Sequence, residues 1–168
     1  NWSGEDRGLK IQYQLRDAGN LDFRPRAGSD LIDSGVIIEG STIQFVGSAP
    51  DIGPYEFGDN DYWIPGFQDV KASIPIPPDG ADNAKQDADI MWLGGYEGLS
   101  YDIYFGSDSI NVNNADITSS QYRGNQSNNI YTPENLETGT AYFWRIDTHK
   151  KSNIEIGNVW TFTVENNQ

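Results

Sequence analysis

The 168-residue chain contains no cysteine, so no disulfide can staple it and thiol chemistry is closed to it. It has one histidine, His149, which rules out any metal site built on a pair of imidazoles. His149 falls where a strand should end and reads as a solvated turn residue rather than a base. Basic residues are scarce: 11 Lys and Arg stand against 25 Asp and Glu, a net charge of −14. Nucleic-acid phosphates reward clustered Lys and Arg, so no nucleic-acid partner is expected. Anionic polysaccharides are disfavoured less strongly. At an ionic strength of about 0.5 M the screening length drops to about 4–5 Å, and local groups then outweigh net charge. No apolar run approaches the roughly 20 residues that span a bilayer, so no membrane partner is expected. The chain starts at Asn1-Trp2-Ser3-Gly4 without a basic-plus-apolar leader, as if cut from a longer protein. Helical periodicity never persists over about ten residues, which makes the expected fold class all-β.

What the chain does have is alternation. In Thr140–Asp147, Tyr142, Trp144 and Ile146 point one way, and Phe143, Arg145 and Asp147 the other. A strand with one buried face requires that period of two. A turn at Gly139 precedes it, and a tyrosine so close to a strand's start can anchor the preceding corner through its hydroxyl. Asp89–Leu93 places Ile90 and Trp92 together, Leu99–Gly106 aligns Tyr101, Ile103 and Phe105, and Val159–Val164 aligns Trp160, Phe162 and Val164. The prolines of Ile74–Ala81 suit an edge strand. Ser107–Gly124 is the weakest stretch, with Ile110, Val112 and Ile117 to tie it down. Near the start, Leu9–Leu15 reads as a strand carrying Leu9, Ile11, Tyr13 and Leu15 on one face.

Two sets of motifs resemble known families. "D-F-R-P … G-S-x-L-I-D-x-G … A-P-D-I-G-x-Y-E", over about 21–58, resembles the closing segment of right-handed parallel β-helix proteins. "P-x-P-P-D-G-A-D … D-A-D-I-M-W … Y-D-I-Y-F-G … L-E-T-G-T-A-Y-F-W-R-I-D … G-N-V-W-T-F-T-V", over about 74–164, is similar to the fibronectin type III-like domains of secreted bacterial polysaccharide-degrading enzymes. The resemblance implies a β-helix-end-like segment at 1–66, a linker at 67–73 and an immunoglobulin-like β-sandwich at 74–168. It also implies a secreted, extracellular protein, with polysaccharide and an upstream catalytic domain of the same polypeptide as partners. A chain this short has no room for the stacked coils of a β-helix. Either such coils precede it or the segment folds against the sandwich.

The chemistry points away from catalysis. A glycosidase sets two carboxylates about 5 or about 6.5–9.5 Å apart across one bond. Here carboxylates such as Asp79, Asp82, Asp87, Asp108 and Asp116 sit in turns, where Asp caps the backbone. No catalytic residue is assigned and no cofactor is required. Calcium is the one candidate ion, through the weakly spaced pairs Asp59/Asp61 or Asp87/Asp89. For sugars, Tyr62, Trp63 and Phe67 are the leading candidates, since aromatic faces suit the apolar faces of sugar rings. Their alternative role is packing beside the junction. Trp2 is a further stacking candidate. Phe143 beside Arg145 could form an aromatic-and-cation strip on the outer face, or an interface with the first segment. Lys150 and Lys151 could contact sulfate or carboxylate groups, or merely keep a hairpin tip soluble. The reading is thus a non-catalytic carbohydrate-binding accessory region. Its competitors are a ligand-free spacer and the tail of a lyase or hydrolase whose catalytic residues lie upstream.

Overall fold

The computed structural model describes residues 11–40 and 44–166, and the chain forms two compact units, residues 1–59 and 60–168. The described residues are almost entirely β-strands and turns. Leu9 and Trp2 lie outside them.

The first unit holds one small antiparallel pair, β1 (Leu15–Asp17) and β2 (Asp22–Pro25), joined through a 3-10 turn at Ala18–Asn20. Of the strand expected over Leu9–Leu15, residues 11–14 form a turn and Leu15 opens β1. Gln14 N–H donates to the Ile11 carbonyl at 2.9 Å, closing a turn, and the Gln14 side chain accepts from Asp30 N–H at 2.9 Å. Beyond β2 the unit is held by carboxylates that accept from loop backbones. Asp33 accepts from Ser48 and Ala49 at 2.7 and 3.1 Å. Asp51 accepts from Asp33 and Phe57 at 2.7 and 2.6 Å. Glu56 accepts from Asp51 at 3.2 Å. Loops without a ladder must place their N–H groups somewhere, and these three acids take them. The bond from Ala49 N–H, then that from Ser48 N–H, holds the Asp33 carboxyl below its ordinary value. Leu15, Phe23, Leu31, Ile52 and Tyr55 line an apolar groove of about 360 Å³ in the same unit.

The second unit is built from two sheets. One has three strands, β3 (Ser73–Ile76), β5 (Ile90–Leu93) and β8 (Ile130–Tyr131), in the order β3-β5-β8. The other runs β4 (Ala81–Ala84), β11 (Val159–Val164), β9 (Ala141–His149), β6 (Ser100–Gly106), β7 (Tyr122–Gln126), with β10 (Ile154–Glu155) paired to β9. Neighbours are antiparallel except β4 and β11. Ile90 and Trp92 of the small sheet meet Tyr101, Ile103, Phe105, Trp144, Ile146, Phe162 and Val164 of the large one in a single core. These are the residues that alternation turns inward. The tyrosine corner forms as well: Tyr142 hydroxyl accepts from Glu137 N–H at 2.9 Å, and Gly139 takes a φ of 71° in the turn between them. Prolines keep β3 at an edge, as their missing N–H requires.

Ser107–Gly124 contains a short helix, α1 (Ser109–Asn113), started by Asp108, whose side chain accepts from Asn111 N–H at 2.8 Å. Val112 is buried, while Ile110 and Ile117 are exposed. Residues 60–73, expected to divide between the first segment and a linker, pack in the second unit instead. The cause is apolar burial: Tyr62, Ile64 and Ala72 are all inside.

Candidate functional site

The side-chain amide of Asn129 clamps the segment leading into β3. Asn129 Oδ1 accepts from Tyr62 N–H at 2.8 Å, and its Nδ2 donates to the Tyr62 and Trp92 carbonyls at 2.7 and 2.8 Å. Clamping turns Tyr62 and Ile64 inward and Trp63 outward. Tyr62 is 3% exposed and Trp63 67%. Tyr62 is therefore core, which corrects its reading as a stacking residue. Two residues after Ile64, Gly66 passes so close to Ile74 that an added Cβ would run into Ile74 Cδ1. The chain then turns out, and Phe67 stands 94% exposed. Across from it lies Tyr96, 57% exposed, held where Tyr96 N–H donates to the Asp69 carbonyl at 2.7 Å. Phe67, Gln68, Asp69, Val70, Ile74 and Tyr96 line one open groove of about 670 Å³. Ile74 holds a φ of 48°, an uncommon conformation for a β-branched residue. Such outliers gather where surrounding structure overrides local preference.

The strip expected on the outer face of the large sheet is covered. Arg145 is 3% exposed, beneath α1 and the turn after it. Its Nε and Nη2 donate to Asp147 at 2.9 and 3.0 Å. The remaining bonds run to the carbonyls of Val112, Asn113 and Ala115 at 2.8, 2.5 and 2.8 Å. The guanidinium also lies 4.1 Å from the centre of the Tyr104 ring. Phe143 is half-buried in the cluster of Tyr104, Val112 and Ala115. Arg145 is thus a structural tie that pins α1 to the sheet, not a ligand contact, because its donors are spent on carbonyls and a carboxylate.

This burial sets up a pH dependence. Burial, then Asp147 and Asp102, push the Tyr104 phenol up to about 12, with Arg145 partly opposing them. An unfolded tyrosine loses its proton near 10. Between those values the unfolded state binds fewer protons than the native one, so stability falls as pH rises. Full stability from this group is expected below pH about 10, with loss complete above about 12. Denaturant melts across that window should show the decline, and Tyr104→Phe should flatten it.

Asp102 and Asp147 face each other across the β6–β9 pair, so each needs compensation. Asp147 has Arg145 and the Gly157 N–H at 2.8 Å. Asp102 has His149 Nε2 at 2.7 Å, Asn125 Nδ2 at 2.9 Å and Tyr122 hydroxyl at 3.2 Å. His149 is accordingly the last residue of β9 and a partner of a buried carboxylate, not a solvated turn residue. Lys150 is largely covered, with Nζ 4.0 Å from Glu155 Oε1, whereas Lys151 is exposed. Of that pair, Lys151 alone is open to an anionic ligand.

Among the described residues, no three His, Cys, Asp or Glu side chains cluster to hold a metal ion. Asp59 and Asp61 belong to different units, and Asp61 lies near enough to Tyr101 to reinforce the upward push that burial gives its phenol. Turn carboxylates cap as expected: Asp79 accepts from Thr161 N–H at 2.9 Å and Asp116 from Thr118 N–H at 2.9 Å. Tyr96 is the aromatic that sequence reasoning missed. It sits between Gly94-Gly95 and Gly98, where the glycines read as a loop and hide its neighbour across the fold.

No family model matches the chain, and no curated protein does. Among solved structures it is similar to the beta-1,2-glucanase from Parabacteroides distasonis, at 16% identity and a TM-score of 0.35, over 63% of this chain and 14% of that one. So shallow a likeness says nothing about activity.

Proposed function

We propose that this chain is a non-catalytic carbohydrate-binding accessory region of a secreted, extracellular polysaccharide-degrading enzyme. Its polymer would be algal or another marine polysaccharide, held on the aromatic surface of the second unit. The observation that carries the proposal is the Phe67–Tyr96 groove. A ring 94% exposed beside a second aromatic is an apolar patch without cover. Gln68 and Asp69 at its edge supply an amide and a carboxylate, the group types that orient sugar hydroxyls. Trp63 adds a third outward ring from the same clamped segment.

Two further features support the parentage inferred from the motifs. The division into β3-β5-β8 and a larger sheet, with a tyrosine corner before β9, suits a fibronectin type III-like sandwich. The apolar groove of the first unit suits a segment that closes the open end of a β-helix. Calcium has no role in this proposal. The spacer reading draws its support from Tyr62 and Arg145, two candidates that the fold consumes internally.

Phe67→Ala and Trp63→Ala separate the readings. Exposed substitutions should shift stability by no more than about 0.5 kcal/mol. Losing a stacked ring removes about 0.5–1.5 kcal/mol, or roughly two- to tenfold in affinity. Affinity gels containing purified algal and plant polysaccharides, run beside thermal melts of each variant, give both numbers. A drop in melting temperature with retention unchanged would sink the aromatic platform.

A further inference from the structure

A second groove, about 610 Å³ in volume, opens in the same unit, within the range that small ligands occupy. Its aromatic lining is fixed. Phe105 and Tyr142 stack at 5.2 Å with their planes 15° apart, and Tyr131 lies 6.3 Å from Phe105. Tyr142 is further held by its bond from Glu137 N–H. Arg123, Glu134 and Asn135 supply the polar lining. Arg123 donates to the Ser120 carbonyl at 3.0 Å and to the Phe105 carbonyl at 2.9 Å. Those two bonds aim the guanidinium and leave three of its five N–H groups. Among the described residues, neither the Glu134 carboxylate nor the Tyr131 hydroxyl has a hydrogen-bond partner. Burial raises the Tyr131 pKa, with Arg123 and Glu134 acting on it in opposite directions. At neutral pH the phenol therefore stays a donor as well as an acceptor.

We propose that this groove binds a neutral sugar residue through adjacent hydroxyls, with Arg123 donating, Glu134 accepting and Tyr131 doing both. A sugar hydroxyl gives one hydrogen bond and takes up to two, so two neighbouring hydroxyls match a guanidinium and a carboxylate together. A uronate or sulfate brings lone pairs without donors at its charged group. It could pair with Arg123 but would leave Glu134 without a donor and meet it as a like charge, on a chain of net charge −14. An apolar ligand would strand both charged groups without partners. This groove shares no lining residue with the Phe67–Tyr96 surface, so the inference does not rest on that surface.

The test is titration of the whole chain with neutral hexasaccharides (cellohexaose, laminarihexaose, xylohexaose, mannohexaose) and with anionic hexamers of guluronate and galacturonate. Backbone amide shifts in labelled protein report where each one binds. At least one neutral probe should move the amides of Arg123, Tyr131, Glu134 and Asn135. Glu134→Gln should weaken that probe about tenfold or more, the scale of a hydrogen bond to a charged group. Glu134 is exposed and makes no hydrogen bond among the described residues, so the variant should melt like the parent. Three results would each overturn the proposal: no neutral probe moves these amides, an anionic hexamer binds here more tightly than every neutral one, or Glu134→Gln leaves affinity unchanged. Shifts confined to Phe67 and Tyr96 would remove this groove and leave the aromatic surface standing. Shifts nowhere would remove both.

Discussion

Trp144→Ala should destabilise the second unit by about 3–5 kcal/mol, the range for emptying a large buried aromatic site. That is a large share of the 5–15 kcal/mol or so that holds an ordinary domain together. Trp144 is fully buried at the middle of β9, and its ring meets Trp160 edge-on at 4.7 Å and 61°. Alanine leaves Trp160 without that partner and opens a cavity in the core that Phe105, Ile146 and Phe162 share. Trp144→Phe should cost much less. The indole Nε1 of Trp144 is buried with no hydrogen-bond partner among the described residues. Phenylalanine removes that unpaired donor while keeping an aromatic edge against Trp160, so relief offsets part of the lost volume. Guanidinium melts of both variants check the ranking. Alanine melting like the parent would mean that the inward set Tyr142, Trp144 and Ile146 is assigned to the wrong face.

Much of the second unit was legible because its strands are half-buried and long enough for a period of two to show. β9, β6 and β11 each carry three or more large residues on the inward face, and the register pairs them, Phe105 with Trp144 and Trp160 with Trp144. Leu9–Leu15 shows the limit of the same rule. Its apolar residues alternate as well, but the chain turns at Ile11–Gln14 to place the Gln14 amide against Asp30. Alternation states which face a strand would bury, and a partner edge decides whether the strand forms.

The candidate site was legible only in part, for a related reason. Trp63 and Phe67 stood out as aromatics in a polar stretch, and both are outward. Tyr62 did not differ from them in sequence. It is buried because the side chain of Asn129, far along the chain, seizes its backbone. For Arg145, alternation gives the outer face of β9, where the sequence allows a surface strip or an interface with the first segment, and the structure shows neither. The cover is α1, five residues long, too short to leave a helical period. Long-range polar contacts and single-turn helices carry little local pattern, and those two devices decide this surface. The acids of the first unit are the converse case. "L-I-D-x-G" and "A-P-D-I-G-x-Y-E" stood out as motifs, and Asp33, Asp51 and Glu56 within them carry the loop backbones.

Arg145 gives the other large effect, and it separates a pair from a network. Arg145→Met should cost about 3–5 kcal/mol, since it leaves the Asp147 carboxylate buried without its cation. Had the pair been isolated, changing both partners to apolar residues would be close to neutral. Here it should not be. In Arg145→Met/Asp147→Leu the buried charge is gone, yet the carbonyls of Val112, Asn113 and Ala115 still lack the donors that Arg145 supplies. Each unpaired buried carbonyl costs about 1–3 kcal/mol unless the chain moves to water. The double variant should therefore recover part of the loss, and the segment 109–115 should lift from the sheet. Denaturant melts of the parent, both single variants and the double give the coupling energy. Hydrogen exchange at Val112 and Ala115 reports the lifting directly. Full recovery of stability in the double variant, with exchange at those amides unchanged, would show that α1 is held by the apolar contacts of Val112 and Tyr104 and not by the guanidinium.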